Sequence, residues 1–259
     1  MFAATISARK SGLEYERFLR GLPSTQRRLD TLQTILFVAP VLLFSVIAHE
    51  IAHGYAALKQ GDDTAQKLGR LSWNPIKHID PFLTILMPLI MGLATGWRIM
   101  LGGAKPVPVN PSNYRNLKRG DIIVSLAGVA ANFVIAVGCT AAIAIFGGLS
   151  SIVPAISKPV GILQVMMIYG VTINLMLIAF NLIPIPPLDG SHVMKYLLPP
   201  AWSLRYQAMT RYGLVILILM LSFGSGLLEM WMQPAVWTRT VMLTSVSQFL
   251  DPSVERWFR

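Results

Sequence analysis

Long uncharged apolar runs alternate along the chain with segments that hold its charged residues. The apolar runs are Thr31–His49, Pro81–Trp97, Ile122–Gly148, Val160–Leu188 and Tyr212–Leu228. An uncharged apolar run of about 18 or more residues is long enough to cross a bilayer as a helix. Several runs reach or approach this length, so the pattern predicts a protein that crosses the membrane several times rather than a soluble domain.

The runs predict four spanning helices, at Leu32–Leu58, Ile122–Gly148, Val160–Leu182 and Tyr212–Leu228. The remaining run, Pro81–Trp97, is interrupted by prolines and glycines, and we expect it to be re-entrant or broken. The expected fold class is therefore an all-α polytopic membrane protein with about four spanning helices and one broken apolar segment.

Polar segments flank the predicted membrane region, and one proline-rich segment lies inside it. Residues 1–30 are expected to be a polar tail or an interfacial helix, and residues 233–259 an interfacial tail, around a membrane-embedded core at 31–232. The prolines of Gly102–Pro111, with the sequence GGAKPVPVNP, exclude a helix there. A short extended, hairpin-like region is expected instead.

Composition and charge narrow the class of protein further. The chain is 54% hydrophobic and only 13% charged, with a net charge of +10. Its Lys and Arg residues lie mostly between the apolar runs and come without a nucleic-acid-binding motif, so cytoplasmic loops explain them better than nucleic acid does. The single cysteine, Cys139, is expected to be an apolar packing residue. The polar first 30 residues give no sign of a cleavable signal peptide.

One apolar helix carries three ionisable residues, in the sequence His49-Glu50-Ile51-Ala52-His53. Residues four apart lie on one face of a helix, so both imidazoles can bind one metal ion. The glutamate beside them can take a proton from water at that ion, which is the HExxH arrangement of zinc proteases. Ionisable groups at membrane depth are costly, and this cost favours a functional site over polar packing between helices.

A catalytic zinc site needs a third protein ligand. Asp189, in the segment NLIPIPPLDG at Asn181–Gly190, is the best candidate because the prolines break the helix and Gly190 permits a sharp turn. A carboxylate at that depth is tolerated where it lines a cavity. The alternative is an ordinary interfacial aspartate that caps a turn. The other histidines are His78, in a polar loop, and His192, after the third predicted span.

The two motifs together resemble a known family. HEIAH on a membrane helix, followed after a later helix by NLIPIPPLDG, is similar to the site-2 protease family of intramembrane zinc metalloproteases. The resemblance covers Leu32–Leu198 and is to the compact bacterial branch, which lacks a PDZ domain. Further segments similar to that branch are Leu71–Pro81, Ala104–Pro111 and Leu126–Asn132, the last with Val129 where members often have proline.

The resemblance implies roles for individual residues. It implies one Zn²⁺ ion per chain on three ligands, His49, His53 and Asp189. Glu50 is implied as the general base. Asn181 matches the family's motif asparagine and is expected to hold the substrate backbone or the oxyanion. Asn132 is expected in a similar supporting role, with an interhelical hydrogen bond as the alternative.

The activity that the resemblance implies is hydrolysis of peptide bonds in or near transmembrane segments, with single-span membrane proteins as the expected substrates. Gly102–Pro111 offers an edge that can pair with an extended substrate, or else it covers the site. Two other functions stay open on the residues alone. A transporter would use the buried histidines and glutamate as a metal or proton path, and an inactive scaffold would keep the metal without hydrolysis. The oligomeric state is not indicated.

The expected topology follows from the metal site. One ion must be reached from both motifs, so the helices that precede them run in the same direction and Pro81–Trp97 returns to its starting side. The basic loops Lys59–Lys77 and Arg98–Arg119 then place the site toward the cytoplasm, in what the resemblance implies is a bacterial inner membrane. The same topology leaves residues 1–30 outside despite their positive charge, a conflict that the sequence does not resolve.

Overall fold

The structure is a computed structural model that describes residues 24–87, 89–90, 93, 103–223, 225–252 and 254. Within these residues the regular elements are helical and no strand is formed. The α-helices are α1 Ser24–Gln60, α2 Thr64–Lys67, α3 Leu117–Ile152, α4 Ser157–Asn181, α5 Asp189–Leu197, α6 Pro200–Ala208, α7 Gly213–Phe223 and α8 Ser225–Ser245. The chain divides into a unit that ends at Pro40 and a unit that begins at Val41, and the helix contacts and site residues described below belong to the second.

Four stretches of the described chain are long and apolar enough to cross a membrane, namely Thr34–Gln60, Leu117–Ile152, Pro154–Asn181 and Pro200–Leu221. They confirm the predicted all-α polytopic fold. The fourth stretch begins earlier than the predicted span Tyr212–Leu228. The charge of Arg211 limits the uncharged run, whereas the helical path continues from α6 through a 3₁₀ turn at Met209–Tyr212 into α7.

Helices α3 and α4 pack along each other, α8 packs on α4, and α5 lies against α3. The α3–α4 contact is close at Gly170, where an added Cβ would lie 2.5 Å from the Cys139 Sγ atom. Cys139 is therefore a packing residue, as predicted. At the end of α4, the Trp231 indole N–H of α8 donates to the Ala179 carbonyl at 2.8 Å. Part of the predicted C-terminal tail, residues 233–245, thus lies in a helix that packs on the core; the domain boundaries stay predictions.

The apolar run Pro81–Trp97 begins with a wide helical turn at Pro81–Leu86, in which the N–H groups bond five residues back. The Thr84 hydroxyl donates to the Gly103 carbonyl at 2.7 Å. Residues 84 and 103 are therefore adjacent, and the return of this run to its starting side of the membrane stays a prediction. The path of the run itself lies largely outside the described residues.

Residues 103–110, which we call the strap, form no helix, as their prolines predict. The Lys105 N–H donates to the His78 carbonyl at 2.7 Å, and the Arg70 guanidinium donates to the Lys105 carbonyl at 3.0 Å. These contacts join the strap to the segment after α2. The described residues form no β-ladder here, so the predicted hairpin-like pairing is not observed.

Asp62 holds the far end of the strap and is only 1% exposed. Its carboxylate accepts hydrogen bonds from the Asn110 N–H at 2.6 Å and from the Asn113 side-chain amide at 2.8 Å. It also accepts from the Thr64 hydroxyl at 2.5 Å and the Thr64 N–H at 3.2 Å. Burial alone would raise the pKa of Asp62, but these donors outweigh it and hold the pKa below its usual value.

Replacing Asp62 by Asn is expected to lower the free energy of unfolding at pH 7 by about 1–3 kcal/mol, since a neutral amide cannot accept all of these hydrogen bonds. Because the folded-state pKa is lowered, this stabilisation is complete above the unfolded pKa, about 4, and is lost as the pH falls through the folded value. Unfolding measured in detergent from pH 7 to pH 3 should show the difference between wild type and variant shrinking below pH ~4. Equal stability of the two proteins at pH 7 would contradict this role.

The turn between α4 and α5 corrects one detail of the sequence interpretation. Gly190 was expected to permit a sharp turn, but it lies in the first turn of α5 and has no positive φ angle. The glycine is needed for close approach instead, because a Cβ at this position would lie 2.3 Å from the Leu182 carbonyl oxygen. The turn is made by residues 182–188, and α5 then begins at Asp189.

Candidate metal centre

Helix α1 brings the two histidines of the HEIAH motif to one face. The Nε2 atoms of His49 and His53 are 3.0 Å apart, and His49 is only 7% exposed. The one-turn spacing of an α-helix accounts for this meeting, as predicted. Both imidazoles therefore present a ring nitrogen to the same point.

Asp189 reaches the same point from the first turn of α5. Its Oδ2 atom lies 3.1 Å from His49 Nε2 and 3.4 Å from His53 Nε2. The alternative role, a turn cap, is not what the structure shows, since α5 is preceded by Leu188 and has no side-chain cap. A carboxylate oxygen thus lies beside two imidazole nitrogens.

The three atoms fit a zinc ion. Two imidazole nitrogens and one carboxylate oxygen are a ligand set of catalytic zinc sites, with bonds of about 2.0–2.2 Å. Tetrahedral bonds of that length hold ligand atoms about 3.3 Å apart, and the observed separations run from 3.0 to 3.4 Å. Moreover, Asp189 Oδ2 is buried and makes no hydrogen bond among the described residues, as expected of an atom that faces a cation.

Gly128 of α3 forms the floor below the imidazoles. A Cβ at this position would lie 2.5 Å from His49 Cε1 and 2.6 Å from the Nε2 atoms of both His49 and His53. Only a glycine leaves room for the rings where they stand. The sequence interpretation missed this residue, and the only signal was its place in the family-like segment Leu126–Asn132.

Each imidazole is oriented by a hydrogen bond on its other nitrogen. His49 Nδ1–H donates to the Asn132 side-chain oxygen at 2.7 Å, and His53 Nδ1–H donates to the Val124 carbonyl at 2.7 Å. Because both partners are oxygens that only accept, each Nδ1 carries the proton and each Nε2 keeps its lone pair for a metal. For Asn132, which is 0% exposed, this is the interhelical hydrogen bond that the sequence left as the alternative.

The remaining predicted site residues are not joined to the three ligand atoms. Glu50 turns its carboxylate to the strap, where Oε2 accepts the Val107 N–H at 2.8 Å. The Asn181 side chain donates to the Leu177 carbonyl of its own helix at 3.0 Å. Its expected role toward substrate stays a prediction.

A second polar cluster fixes the far end of α5. The Asp121 carboxylate at the start of α3 accepts from the Tyr196 hydroxyl at 3.0 Å and lies 3.1 Å from His192 Nδ1, with Lys195 as a further ion-pair partner. Burial and the hydrogen bond to this carboxylate raise the pKa of Tyr196 to about 12. The cluster binds the helix that carries Asp189 to the helix that carries Gly128, so it supports the metal site from outside.

Comparison with known proteins agrees with this geometry. The model of peptidase family M50 matches residues 37–221. The Bacillus subtilis (strain 168) protein named "Putative zinc metalloprotease YwhC" is 35% identical over 196 residues, which cover 75% of this chain and 84% of that protein. The Mycolicibacterium smegmatis (strain ATCC 700084 / mc(2)155) protein named "Putative zinc metalloprotease Rip2" is 30% identical over 206 residues, 76% of this chain and 71% of that protein. No solved structure matches.

Proposed function

We propose a catalytic site for this chain from the premise that it belongs to peptidase family M50, the site-2 protease family. The protein is a multi-pass membrane protein and an intramembrane zinc metalloprotease, and protein substrates and a lipid bilayer are its partners. Within that activity, we assign the zinc ion to His49, His53 and Asp189. One observation carries this assignment: three ligand atoms from distant parts of the chain lie within 3.4 Å of one another in a buried place.

Zinc, when bound, supplies a Lewis acid that polarises a carbonyl group and lowers the pKa of water. Glu50, next to His49 on α1, accepts one proton from the water whose oxygen attacks the peptide carbonyl carbon. The peptide C–N bond then breaks as Glu50 passes this proton to the leaving nitrogen. One water molecule is thereby added across one peptide bond, and Glu50 returns to its starting charge.

The strap has two proposed uses, as a pairing edge for an extended substrate or as a cover for the site. Its N–H groups at Lys105, Val107 and Asn110 already donate to His78, Glu50 and Asp62 respectively. Its prolines have no N–H to offer. In this conformation the strap thus has few free donors for a substrate strand, which supports the covering role.

We further propose that the site opens toward the cytoplasm of a bacterial inner membrane and acts on single-span membrane proteins. The support is the basic character of residues 59–77 and 98–119, which the positive-inside rule assigns to the cytoplasm. Val107, in the described part of the second stretch, contacts Glu50 beside the site. A panel of single-span substrates reconstituted with the purified protein, with products mapped by mass spectrometry, tests the substrate class. Cleavage only of soluble peptides would contradict it.

Replacing Asp189 by Ala is expected to lower the zinc content of the purified protein from one ion per chain toward none after dialysis against a chelator. The two imidazoles that remain cannot hold the ion as three ligands do. Metal analysis of the variant gives the result, and cleavage should be lost in parallel. Asp63→Ala, which removes an exposed carboxylate paired with Lys67, serves as the control and should keep its zinc. An Asp189→Ala protein with an unchanged metal load would remove Asp189 from the ligand set.

A further inference from the structure

Three polar side chains inside the spanning helices have no exposure at all. Ser45 of α1, Asn132 of α3 and Asn174 of α4 are each 0% exposed. The Asn174 side-chain amide donates to the Ser45 hydroxyl oxygen at 2.9 Å, and the Asn132 side-chain amide donates to the Asn174 side-chain oxygen at 2.9 Å. With the bond from His49 to Asn132, they form one continuous chain of hydrogen bonds that ends at the metal site.

The direction of this chain is set at its far end. The Ser45 hydroxyl donates its hydrogen to the Val41 carbonyl at 2.8 Å, so the hydroxyl oxygen can only accept a second hydrogen bond. The Asn174 amide nitrogen faces this oxygen and also donates to the Gly170 carbonyl at 2.8 Å. A flipped Asn174 would set its own oxygen against the Gly170 carbonyl. Asn174 therefore has one allowed orientation, with its side-chain oxygen toward Asn132.

This orientation is passed on to the imidazole. Because Asn174 offers an acceptor, Asn132 must turn its amide nitrogen to it and its oxygen to His49 Nδ1. We infer that Asn174 is a positioning residue that keeps the proton of His49 on Nδ1, through Asn132, and so presents the bare Nε2 to zinc. The inference rests on the proposed zinc ligands.

Only one of the two histidines depends on a second residue for the position of its proton. His53 donates to the backbone carbonyl of Val124, which cannot exchange a donor for an acceptor. His49 donates instead to a side-chain amide, which presents a donor after a half-turn about its terminal bond. A second residue that blocks this half-turn is therefore required on the His49 side only.

Replacing Asn174 by Leu, which has a similar size and no polar atoms, frees Asn132 to flip. The expected result is a zinc affinity lower by about 10–100-fold, the range for loss of an outer partner of a metal ligand. Zinc alone is titrated against a competing chelator in detergent. Gln164→Leu is the matched control, because Gln164 is also 0% exposed on α4 and donates to backbone carbonyls away from the site. An equal loss in both variants, or none in Asn174→Leu, would overturn the inference.

A spectroscopic measurement tests the inference without relying on the fold of a variant. Nitrogen NMR of the metal-free protein labelled at its 4 histidines distinguishes a proton on Nδ1 from one on Nε2. The His49 signals, identified by their absence in His49→Gln, should show the proton on Nδ1 in wild type and in Gln164→Leu. They should show Nδ1 without a proton in Asn174→Leu. A wild-type His49 without a proton on Nδ1 would overturn the inference, whereas a wild type that binds no zinc would instead refute the proposed function.

Discussion

Cleavage by the Glu50→Gln protein is expected to be about 10²–10⁴-fold slower than cleavage by wild type, the usual contribution of a general acid or base. Glutamine has the shape of glutamate but cannot take up a proton. The Val107 N–H can still donate to its side-chain oxygen, so the strap contact should survive. Glu50 is also not one of the three clustered ligand atoms, and zinc should therefore stay at one ion per chain.

The measurement compares zinc content and cleavage rate in the same detergent preparation. Glu229→Gln is a suitable control because it makes the same chemical change at an exposed position of α8. Full activity in Glu50→Gln would exclude Glu50 as the general base. Loss of zinc together with activity would move Glu50 into the ligand set and leave its role as a base without support.

The Gly128→Ala protein is expected to lose most of its metal affinity. The added Cβ would lie 2.5–2.6 Å from atoms of the two imidazoles, which is well inside van der Waals contact. Overpacking of this kind costs about 1–3 kcal/mol. If the rings absorb that cost by moving away from Asp189, zinc affinity falls by about 10–100-fold, since about 1.4 kcal/mol corresponds to a factor of ten.

The same helix supplies the control for this experiment. Gly138→Ala adds a Cβ to open space, with no atom within 4 Å, and should leave zinc binding unchanged. Both variants gain the same helix propensity, so the comparison isolates the contact with the imidazoles. Equal zinc affinity in Gly128→Ala and wild type would show that the rings do not need the space above this glycine.

The features that the sequence predicts are those that depend on the period of the α-helix and on the free-energy cost of placing charged groups in lipid. Uncharged runs mark the spanning helices because lipid penalises charge wherever it occurs. His49 and His53 follow from the helix period, and Asp189 stands out as a carboxylate at membrane depth beside broken helix. Each of these inferences needs only local sequence and a general property of the bilayer.

Other features depend on which surfaces meet and cannot be derived in that way. Gly128 has no side chain whose chemistry could indicate a role. It leaves room for two imidazoles of another helix, and the sequence does not show that these helices meet. Nothing in the local sequence distinguishes Asn174 and Ser45 from other polar residues. Their hydrogen bonds form because α1, α3 and α4 pack together. The bond between Glu50 and Val107 likewise depends on where the strap returns. The fourth span begins earlier than predicted because charge, and not helix continuity, defined the predicted limit.

The contact between Thr84 and Gly103 joins the chain before residue 85 to the chain after residue 102. Loop-closure entropy grows slowly with length, by about 0.6 kcal/mol for each doubling. A difference in the length of the chain between these two anchors should therefore add little to the cost of bringing them together, and related proteins can differ in length here while the histidines, the strap and α5 keep their arrangement.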